Sequence, residues 1–343
     1  MIKIGIICPS EIAFRRFLPA LQNDNEFQYI GVAIASPAEW FGDLLSKTAL
    51  EQIVNQQNSE RNRAKLFVDN FGGKIFDSYE EILFSNDIDA IYIPLPPALH
   101  YKWSKFALKM GKHVFVEKPA TTNAKDTLDL ISLAQLNQLA IHENYMFVFH
   151  NQLQILSDLI KKGEIGDVRL YRISFGFPRR SISDFRYNKE LGGGALLDAG
   201  GYTIKYGNYL LGDTAKIVNA NLNYISDFDV DIFGTATMVN DEGLTAQLAF
   251  GMDNDYKCDI EIWGSKGSIT SNRILTAPVN FVPNYVIRKN QQQKEIKLPS
   301  DDAFLKSISY FKTCIIETSF RERNYLVLQR QADLVTQFKN LVK

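Results

Sequence analysis

The chain has 343 residues, enough for two domains. Its hydrophobic content of 45% and charged content of 22% are those of a globular protein with a sizeable core. A formal net charge of −1, with no long run of one sign, gives no electrostatic reason to expect nucleic acid or an anionic membrane as partner.

Ile2 to Ile7 is a short β-branched run that reads as a buried first strand. A turn follows, and a helix is expected from about Ile12 to Leu21. A dinucleotide-binding fold carries G-x-G-x-x-G/A at this place. Here the small-residue positions hold Cys8, Ser10 and Ala13. Cys8, Pro9 and Ser10, with Ile12 and Ala13 behind them, are therefore the candidate pyrophosphate cradle. Cys8 and Ser10 depart from the pattern, because glycines ease the tight turn and the approach of backbone to phosphate.

Gln28 to Ala35 reads as a second strand ending in Ser36. No acidic residue sits at its end to hold a ribose 2′-hydroxyl, and Glu39 is the nearest carboxylate. A serine suits a 2′-phosphate, so NADP(H) is favoured over NAD(H). Arg61, Arg63 and Lys65 lie in the long polar segment from Pro37 to Phe71. They could swing in, or form a solvated helix face.

Ile88 to Ile93 is another buried strand, closed by Pro94, Leu95, Pro96 and Pro97. Leu95, Pro96 and His100 are candidates for cofactor contact, though His100 could equally make a local hydrogen bond. Val114 to Val116 fills a further strand, which breaks at Glu117, Lys118 and Pro119. The carboxyl end of a parallel strand faces the ligand crevice, so Lys118 is well placed to act on a substrate with Glu117 beside it, and both are candidates for cofactor contact. A helix from about Ala124 to Leu136 and a strand from Leu139 to His142 follow. Alternating strands and helices argue for a doubly wound parallel sheet, a Rossmann domain over residues 1–145.

From residue 146 to 343 the rhythm differs. After a helix at Leu153 to Lys162 come strands at Arg169–Phe177, Lys216–Ser226, Asp231–Met238, Thr245–Gly251, Cys258–Gly264 and Gly267–Thr270. Short turns between them mean a large, mostly antiparallel sheet in an α+β domain. One face of it could be left open for a second copy of the chain. Helices are expected at Asp302–Thr318 and Arg321–Leu341. Gly192, Gly193 and Gly194 mark a turn entering the run that carries Asp198 and Tyr202. On a helix those two are four apart and share a face, which suits proton transfer to a carbonyl or alcohol. The alternative is a capping aspartate and a core tyrosine.

The three cysteines, Cys8, Cys258 and Cys314, are far apart and odd in number. They offer neither a disulfide framework nor a zinc spacing, so no metal site is expected and a reducing compartment is. The start MIKIGII runs straight into a strand without the pattern of a signal peptide, and no apolar run reaches membrane-spanning length. The expected address is cytoplasmic.

With the glutamate-lysine-proline run at 117–119 and the GGGALLDAGGY run at 192–202 both in view, the chain resembles the Gfo/Idh/MocA oxidoreductases. The runs Ile12–Leu21 and Trp263–Ile269 are also similar to that family. The resemblance covers nearly the whole chain. It implies a Rossmann domain, a carboxyl-terminal α/β domain whose open sheet serves for oligomerisation as a homodimer or homotetramer, and NAD(P)-dependent redox chemistry on a sugar-like carbon. It also implies that Lys118 lies near the nicotinamide and the reacting oxygen, and that Asp198 faces the substrate. Tyr202 falls where many members place a histidine and a subset a tyrosine. That subset, with the runs at Phe177–Pro178 and Phe185–Tyr187, looks like the branch acting on nucleotide-linked keto sugars.

In this reading Tyr202 donates the proton to the oxygen that hydride transfer makes basic, and Lys118 stabilises that oxygen and brings the phenol into range. Arg179, Arg180 and Arg186 could pair with a diphosphate, with Tyr187 beside them, or be surface arginines. The rival readings are a dehydrogenase of a free sugar or cyclitol, an enzyme that retains its nicotinamide, and a cofactor-binding regulator without turnover.

Overall fold

A computed structural model describes residues 1–342. Two compact units are distinguished. The first takes in Met1–Thr121, Lys125–Asn144 and Ser307–Leu328. The second takes in Thr122–Ala124, Tyr145–Lys306 and the chain from Gln329 onward.

In the first unit β1 (Ile2–Ile7), β2 (Phe27–Ala33), β3 (Lys74–Phe76), β4 (Ala90–Ile93), β5 (His113–Glu117) and β6 (Ile141–Asn144) form one parallel sheet. Their order is β3-β2-β1-β4-β5-β6. This is the doubly wound dinucleotide-binding order, with its reversal between β1 and β4. The strands are apolar on both faces because helices cover both, and all four residues of β4 are buried. Ile91, Ile93, Val114 and Val116 pack with Trp103, Ala107 and Leu108 from the helix Pro97–Lys109 and with Leu130, Ile131 and Ala134 from the helix Ala124–Leu136. Each such fully buried side chain stabilises the fold by roughly 1.5–3 kcal/mol. Residues 307–328 belong to this unit through contacts such as Phe311 on Phe115, with ring centroids 5.3 Å apart.

In the second unit β7 (Val168–Gly176), β8 (Lys216–Asn223), β9 (Phe233–Val239), β10 (Thr245–Gly251), β11 (Lys257–Gly264), β12 (Ser268–Ser271), β13 (Asn284–Lys289) and β14 (Gln292–Lys297) form one sheet in the order β14-β13-β12-β11-β7-β10-β9-β8. Only β7 and β10 pair in parallel; the other pairs are antiparallel. Burial alternates along the strands, as a sheet covered on one face requires. Leu248, Phe250, Ile260 and Ile262 point inward, while Arg172, Gln247, Glu261 and Trp263 face out.

Three strands escaped the sequence reading. β3 is only three residues long, β13 has a short alternation with Tyr285 and Ile287 buried, and β14 is polar; Asn290 and Gln291, both with positive φ, join the last two. The long polar segment after β2 folds as a short helix (Pro37–Phe41), a 3₁₀ turn (Gly42–Lys47) and a helix from Leu50 to Phe71. No helix among the described residues is long and apolar enough to cross a membrane.

Candidate active site

The amino-terminal turn takes a left-handed residue where no glycine stands. Cys8 adopts φ 75°, the left-handed conformation that glycine supplies at no steric cost. Its N–H donates to Ala33 O at 3.0 Å, and Ser10 Oγ accepts from Ala13 N at 3.2 Å at the helix start. Pro9 and Ala13 are buried, Ser10 is half-buried and Ile12 is exposed. Burial, with Glu60 nearby, pushes the Cys8 thiol up to about 12, against a lowering hydrogen bond with Tyr79 and the Arg63 cation. Cys8 is therefore a neutral thiol at neutral pH.

At the end of β2, Ser36 Oγ accepts from Glu39 N, and Glu39 Oε2 accepts from Ser36 N at 2.7 Å, a capping box for Pro37–Phe41. Glu39 also accepts from Tyr79 N and Glu80 N. The carboxylate nearest the ribose position in sequence is thus committed to backbone. Arg61 pairs with Asp77, just after β3, and Arg63 with Glu60 one turn back on the helix Leu50–Phe71. Glu60 is a residue that sequence reasoning missed. It is fully buried, and its Oε2 accepts from Ala35 N at 2.8 Å. Burial raises its pKa, against the Ala35 hydrogen bond and Arg63, with Glu39 adding to the rise. Its spacing with buried Ala64 and Phe67, four and seven positions on, was the available signal.

The turn after β5 is fastened at three points. Glu117 Oε1 accepts from Tyr92 Oη at 2.8 Å and Asn144 Nδ2 at 2.7 Å. His100 Nδ1 lies 2.7 Å from Pro119 O, and Glu143 Oε1 accepts from Ala120 N at 2.8 Å. Lys118 is half-buried between these anchors. Two of the expected cofactor residues have partners within the protein. His100, expected at the cofactor, has 0% exposure, and its other nitrogen lies 2.7 Å from Leu95 O. Glu117, also expected there, turns its carboxyl to Tyr92 and Asn144. Leu95 is buried and Pro96 half-buried in the turn after β4. Glu143 and Asn144 stood at a predicted strand end but had no role assigned from sequence.

In the second unit, the glycine turn enters a wide π-type turn (Leu196–Gly200) that continues as the helix Gly201–Leu211. The Arg186 backbone explains one glycine: a Cβ at Gly193 would stand 2.3 Å from Arg186 O. Gly194 N donates to the same carbonyl. The Arg186 guanidinium binds Asp198 Oδ2 at 2.7 Å and Asp184 Oδ1 at 3.1 Å. Burial would lower the Arg186 pKa, but Asp198 and Asp184 raise it.

The expected diphosphate arginines therefore divide. Arg186 is engaged with Asp198, and Arg179 pairs with Asp253 and Asp227. Arg180 lies over the Phe177 ring at 5.2 Å and has no ion pair among the described residues. Tyr187, expected to touch substrate, is buried: it donates to Met252 O, accepts from Arg180 N and stacks on Phe228. Tyr202 is 8% exposed among Tyr145, Phe147 and Phe175. Tyr145 was missed in the sequence. A Cβ at Gly201 would stand 2.1 Å from its hydroxyl, so that glycine makes room for Tyr145.

Residues 3–145 match the family described as "Oxidoreductase family, NAD-binding Rossmann fold", and 153–270 match the GFO/IDH/MocA C-terminal domain. The chain belongs to the Gfo/Idh/MocA oxidoreductases. Among relatives of this family, the dTDP-3,4-didehydro-2,6-dideoxy-alpha-D-glucose 3-reductase of Actinomadura kijaniata is 35% identical over 97% of this chain and 93% of its own length. An enzyme of the same name from Streptomyces antibioticus is 30% identical, covering 97% and 95%. A 3-ketoreductase from Actinomadura kijaniata, solved with NADP and TDP-benzene, superposes with a TM-score of 0.89 at 34% identity, covering 100% of this chain and 98% of that one. The sequence expectation of a Rossmann domain joined to a large, mostly antiparallel sheet holds, as does the oxidoreductase assignment.

Proposed function

We propose that the protein reduces the carbonyl of a keto sugar carried on a nucleotide diphosphate, with NADP(H) as hydride source. One observation carries this beyond the family. Solved variants of the Actinomadura kijaniata 3-ketoreductase replace one lysine and one tyrosine, and these are separated by the same number of residues as Lys118 and Tyr202. The strand order and the left-handed turn at Cys8 fit a bound dinucleotide. Ser36, with no carboxylate available beside it, favours the phosphorylated form.

When bound, the reduced nicotinamide supplies hydride to the sugar carbon. As that carbon is reduced, its oxygen gains charge and takes a proton. Lys118 stabilises the charge, and Tyr202 gives up its phenolic proton. Asp198, fixed by Arg186, orients the sugar hydroxyl. Arg180 is the arginine available for the diphosphate; Arg179 and Arg186 already have carboxylates. Residues 1–145 hold the cofactor, and 146–343 hold the sugar nucleotide and form a homodimer or homotetramer through the open sheet face. The unpaired thiols suit the cytoplasm.

The test is NADPH oxidation with a dTDP-linked 3-keto sugar. Lys118→Ala and Tyr202→Phe should each lower turnover by about 10²- to 10⁴-fold with NADPH affinity retained. Full turnover in either variant removes that residue from the mechanism. No turnover by the unmodified protein, with NADPH bound, removes the substrate class.

A further inference from the structure

Three buried polar side chains form a one-way series of hydrogen bonds that ends on Glu117, the half-buried residue before Lys118. Ser307 Oγ donates to Asn144 Oδ1 at 2.9 Å. That leaves the Asn144 amide to donate to Glu117 Oε1 at 2.7 Å. With the serine proton committed to Asn144, His142 Nε2, 2.9 Å from Ser307 Oγ, donates to it in the tautomer that carries its proton on Nε2, while Nδ1 lies 3.5 Å from Asn324 Oδ1. Ser307 is 0% exposed, Asn144 1% and His142 3%. Tyr92 Oη adds a second bond to Glu117 Oε1 from the other side, at 2.8 Å. Every donor in the set points toward Glu117.

Ser307 is distant in sequence but belongs to the same compact unit as the sheet. We propose that Ser307 and Asn144 are positioning residues that hold the Glu117 carboxyl in place, so that Glu117 fixes the turn that carries Lys118. This rests on the reading of Lys118 as the cation at the reacting oxygen. The groups facing Glu117 are Tyr92 from β4, Asn144 from β6 and Lys118 from its own turn. His142 lies behind, beyond Ser307. Burial pushes the Glu117 carboxyl above its ordinary range, and Asn144, Tyr92 and Lys118 offset only part of that rise. A carboxyl balanced in this way responds to the loss of one donor.

The experiment follows the Glu117 carboxyl carbon by NMR in the full chain labelled with [¹³C]glutamate, with Glu117→Gln assigning the resonance. Ser307→Ala should move its titration midpoint upward by roughly half to one pH unit. Asn144→Leu should move it further. Turnover in Ser307→Ala should fall by roughly three- to tenfold with KM unchanged, and Ser307→Thr, which keeps the hydroxyl, should restore both readouts. A midpoint unmoved by Ser307→Ala overturns the proposal, whether or not Asn144→Leu folds. A moved midpoint with unchanged turnover also overturns it, because Glu117 then does not act on the reaction. Full turnover in Lys118→Ala is a separate result: it removes the reading of Lys118 itself.

Discussion

Arg186 Nε lies 2.7 Å from Asp198 Oδ2, and the same guanidinium reaches Asp184, so the loop before the glycine turn holds the aspartate after it. The side chains of Arg186 and Asp198 are 20% and 11% exposed, so the pair is shielded but not dry. Replacing Arg186 with Leu leaves two carboxylates without their cation. We expect a loss of about 2 kcal/mol, below the roughly 3–5 kcal/mol of a fully buried pair because water reaches this one. Urea unfolding measures it. Arg186→Lys should recover only part, since it cannot serve both carboxylates with a planar fork. If instead Arg186 were a diphosphate anchor, stability would hold and dTDP affinity would fall.

Two glycines of the same region answer to single neighbours. A Cβ at Gly193 meets the Arg186 carbonyl, which is backbone and cannot step aside. A Cβ at Gly201 meets the Tyr145 hydroxyl at the tip of a side chain that is 1% exposed. Gly193→Ala should therefore destabilise by about 2–3 kcal/mol. Gly201→Ala should cost less in the wild-type background, and Tyr145→Phe should relieve much of that cost. Thermal melts of the two singles and the Gly201/Tyr145 double variant give the coupling. An additive double would mean that Tyr145 is not what Gly201 accommodates.

Much of this arrangement was legible in the sequence. The buried strands of the first sheet announced themselves because apolar runs covered on both faces need no alternation, and β5 broke at Glu117 where the site begins. The glycine turn and the helix carrying Asp198 and Tyr202 were visible for the same reason, as abrupt changes of residue type. What the sequence hid was commitment. Three arginines near one loop look alike until their carboxylates are placed: Asp184 and Asp198 lie close by in the chain, but the partners of Arg179, Asp227 and Asp253, come from much further on. His100 and Glu117 looked accessible because charged and polar residues usually are. β14 stayed hidden because a polar edge strand carries no hydrophobic period, and β13 because its alternation, Tyr285 and Ile287 inward, runs for only four residues.

Acid should weaken the first unit through His100. Burial pushes its pKa down to about 4, with Pro119 O and Leu95 O pulling upward and Lys118 adding to the depression. The unfolded chain takes up the proton near pH 6.5, whereas the folded chain resists until about 4. Between those values the unfolded state binds more protons, so stability is present above the window and is lost as pH falls through it. His113, also pushed down to about 4 by burial and Arg321, acts in the same direction. His100→Gln should flatten the dependence of unfolding free energy on pH between about 6.5 and 4. An unchanged slope would show that His100 already carries a proton, bridging its two carbonyls as an imidazolium.

The choice between the two nicotinamide dinucleotides should turn on Ser36. Its hydroxyl caps the helix Pro37–Phe41, a task that aspartate performs equally well, so Ser36→Asp changes charge while keeping the local fold. Glu39 stays in its capping role and does not compensate. In the binding mode proposed above, the new carboxylate would repel a 2′-phosphate, whereas a 2′-hydroxyl could donate to it. NADPH affinity should fall roughly tenfold or more, and NADH affinity should hold or improve, because a like-charge cost of about 1.4 kcal/mol is already a factor of ten. Fluorescence titration of the unmodified chain and of Ser36→Asp with each dinucleotide reads this directly. Equal losses for both would mean that the substitution disturbs the strand end. Unchanged NADPH binding would place the 2′-phosphate elsewhere, with Lys65 or Arg61 of the following helix the next residues to replace.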